Sequence, residues 1–195
     1  MQGMRAASLG VPFMPVAGLD GSDIPNVSGF HRVRDPFSGQ EVWVVPSVQP
    51  DWAILHVHQA DPLGNARILG SPFWDRLMSR AAKRVIILAE EVIPTEKMAR
   101  QPELTTVPHL FVEAVVHAPG GTWPTSCPPW RDFDEAGIRA YLSAIREPDG
   151  LARLLAEREA ADHAGDSNGG PGGCTPWRGL DSPREYPSIK GGSAG

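Results

Sequence analysis

Apolar positions along this chain follow two rhythms. Residues 53–57 (AILHV) and 84–89 (RVIILA) are nearly continuous apolar runs rich in branched side chains. Such runs are expected of parallel strands covered on both faces. Residues 42–45 and 113–117 supply two further strand candidates. Between the strands the period lengthens. Ser71 and Pro72 predict a helix cap with proline at the first helical position. Phe73, Trp74, Leu77, Met78 and Ala81 then recur at helical spacing and should pack on the sheet. Asp134 predicts the cap of a second helix, with Ile138, Tyr141, Leu142 and Ile145 on one face. Pro148 restarts a third, carrying Leu151, Leu154 and Leu155. The pattern is that of an α/β fold: an open, mainly parallel sheet with flanking helices, closed by helices at its carboxyl-terminal end.

The amino end breaks this pattern. Residues 4–9 read as the last turns of a helix stopped at Gly10, and residues 11–16 as a strand entering the loop GLDGSD at 18–23. A sheet that opens in the middle of a unit lacks its first strands and exposes an apolar edge. The domain therefore reads as N-terminally truncated, and as prone to self-association through that edge.

Composition changes toward the other end. From about residue 161 to 195 the chain is rich in Gly, Pro and Ser and nearly devoid of aliphatic side chains. Burial there cannot offset an ordering cost of roughly 1–2 kcal/mol per residue, so a disordered tail is expected. The organisation is one α/β domain over residues 1–160 followed by that tail, which holds Cys174, Trp177 and Tyr186. A net charge of −5 gives no basic footprint for nucleic acid. No run of about 18 apolar residues suggests a membrane span. The start, with one Arg and no long apolar core, makes a poor signal peptide. Two cysteines fit a reduced compartment better than a disulfide scaffold, so a cytoplasmic location is expected.

The best-marked chemistry lies where strands end in polar turns. In LHVHQADPLGNA (residues 55–66) an apolar strand breaks into Asp61, Pro62, Leu63, Gly64 and Asn65. Open α/β sheets place ligands at such carboxyl ends. Asp61 and Asn65 either close a turn that Gly64 permits, or line a cleft. Glu91, near the end of the 84–89 run, is either a second carboxylate at the same edge or a solvated or capping group. Gly120 and Gly121, followed by Thr125 and Ser126, form a loop after another strand. Its amides and hydroxyls can receive a thioester oxygen or a carboxylate, or simply make a structural turn. Two other constellations compete with these. His56 and His58, with His109, His117 and Cys127, invite a zinc reading, but His-x-His inside an apolar strand has no third ligand at close spacing. Cys127 with a distant His permits a cysteine nucleophile, but no local signature accompanies it. Neither a metal site nor a catalytic residue is assigned.

Four segments in order carry a resemblance: GVPFMPVAGLDGSD (10–23), LHVHQADPLGNA (55–66), RVIILAEEVIPTEKM (84–98) and EAVVHAPGGTWPTSC (113–127). Together, across roughly residues 5–157, they resemble the α-type chain (the A subunit) of two-subunit family I CoA-transferases of the glutaconate type, including relatives that act on cyclic CoA thioesters in steroid-ring degradation. The resemblance implies a CoA-transferase-like fold, a B-subunit partner and an acyl-CoA substrate, with no cofactor besides the coenzyme A of the substrate. It implies CoA transfer to a carboxylic acid through a glutamyl intermediate supplied by the partner. Asp61, Gly64, Asn65, Glu91, Gly120, Gly121, Thr125 and Ser126 are then expected to bind substrate. The alternatives are a hydrolase subunit opening a steroid-derived ring, whose glutamate is expected upstream of Val11, and a truncated chain without independent activity.

Overall fold

The computed structural model describes residues 1–166. The residues beyond, which hold Cys174, Trp177, Tyr186 and most of the expected tail, lie outside the described part. Two sheets make up the strand content. The first is antiparallel, with β3 (Glu41–Pro46) between β1 (Phe13–Val16) and β2 (His31–Arg34). The second has the order β5–β4–β6–β7, from β5 (Ala66–Arg67), β4 (Trp52–Ala60), β6 (Arg84–Val92) and β7 (Ala114–His117). In this sheet β4, β6 and β7 run parallel, and only the two-residue β5 is antiparallel.

Alternation within the parallel strands decides where the core sits. Ala53, Leu55 and Val57 of β4 share a face with Val85, Ile87 and Ala89 of β6, and all are buried. Val107, Val112, Phe111, Ile68 and Met78 close over that face. The other face carries Ile54, His56 and His58, with Ile86, Leu88 and Glu90 alongside. It is open at one end, where Ile54 is 64% exposed, and covered at the other by the segment after β7. The outer side of β4 is paired only at Gln59 and Ala60, with β5. Among the described residues, β4 is therefore an edge over most of its length, whereas residues 13–16, where the sequence placed the opening strand, pair antiparallel with β3 in the other sheet.

The helices depart further from expectation. Helix α1 (Gln2–Ser8) packs against β1 and against α3 (Asp75–Ala81). The latter begins after the Ser71 and Pro72 signal, because Phe73 takes φ +38 and interrupts the turn. Phe73 and Trp74 consequently lie outside the helix and are exposed, and Met78, Ala81 and Ala82 make the inward contact. The short α2 (Ile24–Val27) and α4 (Thr95–Ala99) serve as connectors. Asp134 caps α5 (Glu135–Ala144) as predicted, its Oδ1 accepting the Gly137 N–H at 3.0 Å. The final helix, α6 (Gly150–Asp166), starts after Asp149 at φ +59 rather than at Pro148, and runs past residue 160. Tyr141, Leu142, Ile145 and Leu155 remain exposed, so much of the apolar face predicted for this pair is not buried within the chain.

Candidate functional site at the carboxyl ends of the parallel strands

Three loops leave the carboxyl ends of β4, β6 and β7, the edge where open α/β sheets collect ligands. The first is the turn at residues 61–65. Asp61 has no exposed surface, and its carboxylate is fully engaged. Oδ1 accepts the N–H groups of Leu63 (3.0 Å) and Asn65 (2.8 Å), and Oδ2 accepts from Asn65 Nδ2 at 2.9 Å. Asn65 Oδ1 then accepts the His109 N–H at 3.1 Å. Gly64, at φ +104, sits against Val112, where an added Cβ would lie 3.0 Å from that side chain. Asp61 and Asn65 thus close the turn and set its shape.

Glu90 and Glu91 are neighbours in β6 and so point to opposite faces. Glu91 accepts from Gln59 Nε2 at 2.7 Å and lies 3.9 Å from Lys97 Nζ, half-exposed on the same side as the buried core strip. Glu90 is the buried one, with 5% of its side chain exposed. Its Oε2 accepts the Gly120 N–H at 2.7 Å, with Arg131 Nη2 at 3.6 Å, and its Oε1 is 3.0 Å from His56 Nε2.

The third loop, residues 118–131, lies over His56 and Glu90. Gly120 takes φ +77, a conformation suited to glycine, and a Cβ on it would sit 3.2 Å from the Arg131 guanidinium. A Cβ on Gly121 would come 3.1 Å from His56 Cε1. His58 fixes the far part of the loop. Its Nδ1 accepts the Leu69 N–H at 3.1 Å, so Nε2 carries the proton and donates to the Pro128 carbonyl at 2.6 Å. Trp130 meets the same ring edge-on at 5.2 Å. The loop amides are mostly engaged within the protein: Gly121 N–H with Ala118 O, Trp123 N–H with Gly120 O, and Thr125 N–H with Thr122 O. The two glycines thus already engage their amides within the chain, Gly120 with Glu90 and Gly121 with Ala118 O. Their role is to let the backbone approach His56 and Arg131. Thr125 and Ser126 stand exposed at the tip, with Thr125 Oγ1 donating to Thr122 O at 2.6 Å.

The expected substrate residues thus sort onto two sides of one sheet edge. Asp61, Gly64 and Asn65 belong with His109 and Val112, whereas Gly120, Gly121, Thr125 and Ser126 belong with His56 and Glu90. Sequence reading overlooked Glu90 and Arg131 as the loop's partners. Strand alternation held one signal, since it places Glu90 on the His56 face, away from Glu91. Nothing local announced the Gly120 amide, which comes from the loop after another strand.

Donor atoms of His56, Glu90 and Cys127 lie within 4.8 Å of one another. His58, His109 and His117 are not part of this group, and His58 uses both ring nitrogens elsewhere. Burial pushes the Cys127 thiol above its ordinary value, the Glu90 charge adds to the rise, and Arg131 draws part of it back. A thiol held neutral in this way is a poor nucleophile.

Comparison with known proteins identifies the lineage of this arrangement. Residues 1–118 match the family described as Coenzyme A transferase. The A subunit of glutaconate CoA-transferase from Acidaminococcus fermentans is 36% identical over 154 residues, covering 70% of this chain and 48% of that protein. The crystal structure of that enzyme superposes with a TM-score of 0.73 at 32% identity, covering 80% of this chain and 54% of the other. A Mycobacterium tuberculosis protein described as Cholesterol ring-cleaving hydrolase IpdA subunit is 31% identical, covering 78% of this chain and 56% of that one. A variant of the decarboxylase AibA/AibB superposes with a TM-score of 0.72 at 36% identity, covering 82% of this chain and 58% of the other. The chain spans about half the length of these curated relatives. With a parallel sheet whose carboxyl-end loops carry the matching segments, and with these relatives, the chain belongs to the coenzyme A transferase family and is like the A subunits of its family I, two-subunit members.

Proposed function

We propose that this chain is the A-subunit-type part of a two-subunit CoA-transferase that moves coenzyme A between an acyl-CoA thioester and a carboxylic acid in the cytoplasm. The observation that carries this reading is the 36% identity with the glutaconate CoA-transferase chain over 154 residues. A B-type subunit completes the cleft and supplies the glutamate. That carboxylate attacks the thioester carbonyl, and the CoA thiolate leaves, giving a mixed acyl anhydride. The thiolate then attacks the glutamyl carbonyl, releasing the acyl group as its carboxylate and leaving an enzyme–CoA thioester. The acceptor acid runs both steps in reverse. This chain contributes to the cleft the tip at Thr125 and Ser126 and, on the other side of the same sheet edge, the turn at residues 61–65. No cofactor is required beyond the coenzyme A of the substrate.

Similarity to the hydrolase subunit supports a second reading, in which water cleaves a ring bond of a steroid-derived CoA thioester and the thioester itself stays in place. Transfer between open-chain substrates separates the two. The chain is co-expressed with a B-type partner and supplied with acetyl-CoA and glutaconate. Transfer forms a new acyl-CoA without free thiol, and neither protein works alone. Release of free CoA in step with thioester loss overturns the transferase reading.

A further inference from the structure

We propose that Glu90 is a positioning residue that clasps the 118–131 loop onto the sheet and thereby holds Thr125 and Ser126 in place. This rests on the reading that the loop tip faces the acyl-CoA cleft. Glu90 lies on β6, buried, and faces the loop from beneath. One carboxylate oxygen takes the Gly120 amide at 2.7 Å, at the loop's first bend. The guanidinium of Arg131, at the loop's far end, lies 3.6 Å from the same oxygen. A single side chain therefore bridges both ends of a loop whose tip stands free. His56 of the adjacent β4 holds the other carboxylate oxygen at 3.0 Å and fixes the carboxylate's rotation.

The chemistry favours a carboxylate at this place. Two hydrogen-bond donors, the Gly120 N–H and His56 Nε2, converge on it with the Arg131 guanidinium 3.6 Å away, so an ionised acceptor is held where a neutral one would be held less. An amide in its place can keep its oxygen toward Gly120 and Arg131, which share Oε2, but its NH2 group then faces His56 and the charge opposite Arg131 is lost. The two glycines are the loop's matching half. A side chain at Gly120 or Gly121 would crowd Arg131 or His56 and lift the loop from the carboxylate. Cys127 sits inside the same closure, 5% exposed. The local site is thus assembled from β4, β6 and both ends of one loop, with Glu90 at the junction.

Amide hydrogen exchange across residues 118–131 tests the clasp, using the full chain in complex with its B-type partner and comparing wild type with Glu90→Gln and Glu90→Ala. Faster exchange confined to that loop is expected, at least tenfold at Gly120 in Glu90→Ala and smaller in Glu90→Gln, with β4 and β6 unchanged. Exchange in the loop unaltered by Glu90→Ala overturns the proposal. General loss of protection in Glu90→Ala shifts the decision to Glu90→Gln, which keeps the shape of the side chain; an unaltered loop there also overturns it. In the active pair, Glu90→Gln should raise KM for acetyl-CoA about tenfold while kcat falls by less than threefold. Unchanged kinetics with a loosened loop would remove the positioning role and leave the transferase reading intact. An inactive wild-type pair would instead overturn the transferase reading, and loop exchange would then decide the clasp.

Discussion

A carboxylate with no exposed surface must find donors or be expelled, and Asp61 finds three in a five-residue turn. Those bonds are the reason the turn has one shape. Replacing Asp61 with Ala leaves two backbone amides without acceptors in a closed space. Asp61→Ala should lower the unfolding free energy by about 2–3 kcal/mol, read from urea denaturation, whereas Asp61→Asn, which keeps an acceptor, should lower it by less than half as much. Equal losses in the two variants would show that the turn does not depend on these bonds. Glu90 presents the opposite lesson. Both glutamates are visible at the end of a strand, but the sequence favours Glu91 as the site residue, and Glu91 is half-exposed and pairs with Gln59 and Lys97. The buried partner of Gly120 is its neighbour. Sequence reveals which side chains a strand offers to each face, but the loop that comes to meet them is set by packing.

At the scale of elements, β4 and β6 were legible because each is long, rich in apolar residues and bounded by turn residues. The strand β2 escaped notice because HRVR carries charge on either side of a single Val and lies at a sheet edge. Helix caps were legible where the cap is a local bond. Asp134 holds Gly137 N–H and, at 2.8 Å, Trp123 Nε1, tying α5 to the loop that follows β7. The Ser71 and Pro72 signal misplaced its helix because Phe73 adopts a left-handed conformation that no propensity scale anticipates. The Asp134 cap also makes a pH prediction. Hydrogen bonds from Gly137 first, then Trp123, lower the Asp134 pKa below 3.8. A carboxylate whose folded pKa is depressed contributes stability that is complete above its unfolded value and is lost as pH falls through the folded value. Protection of the first amides of α5 should therefore hold from neutral pH to about pH 4 and collapse below it, as read by hydrogen exchange corrected for intrinsic rates. In Asp134→Asn the same protection should vary little over that range. Loss of protection between about pH 5 and 7 would contradict this assignment.

For the whole molecule, what matters is how little of the sheet is finished within the described residues. Parallel strands normally lie inside sheets and are covered on both faces, yet β4 is an edge for most of its length and Ile54 stands 64% exposed on an open face. The apolar side chains of α5 and α6 that reach solvent add to that surface. The chain also spans about half the length of its curated relatives. Its family was legible in four segments standing in order. The division of labour within the cleft was less legible, because residues on both faces of one sheet edge look alike until the strands are paired. On the present account, this chain shapes and positions while its partner reacts. The most direct test is intact-protein mass spectrometry of the co-expressed pair after brief incubation with acetyl-CoA, without acceptor acid. The account predicts a coenzyme A adduct on a glutamate of the B-type partner, with this chain unmodified. An adduct on this chain, at Cys127 or any carboxylate, would contradict it.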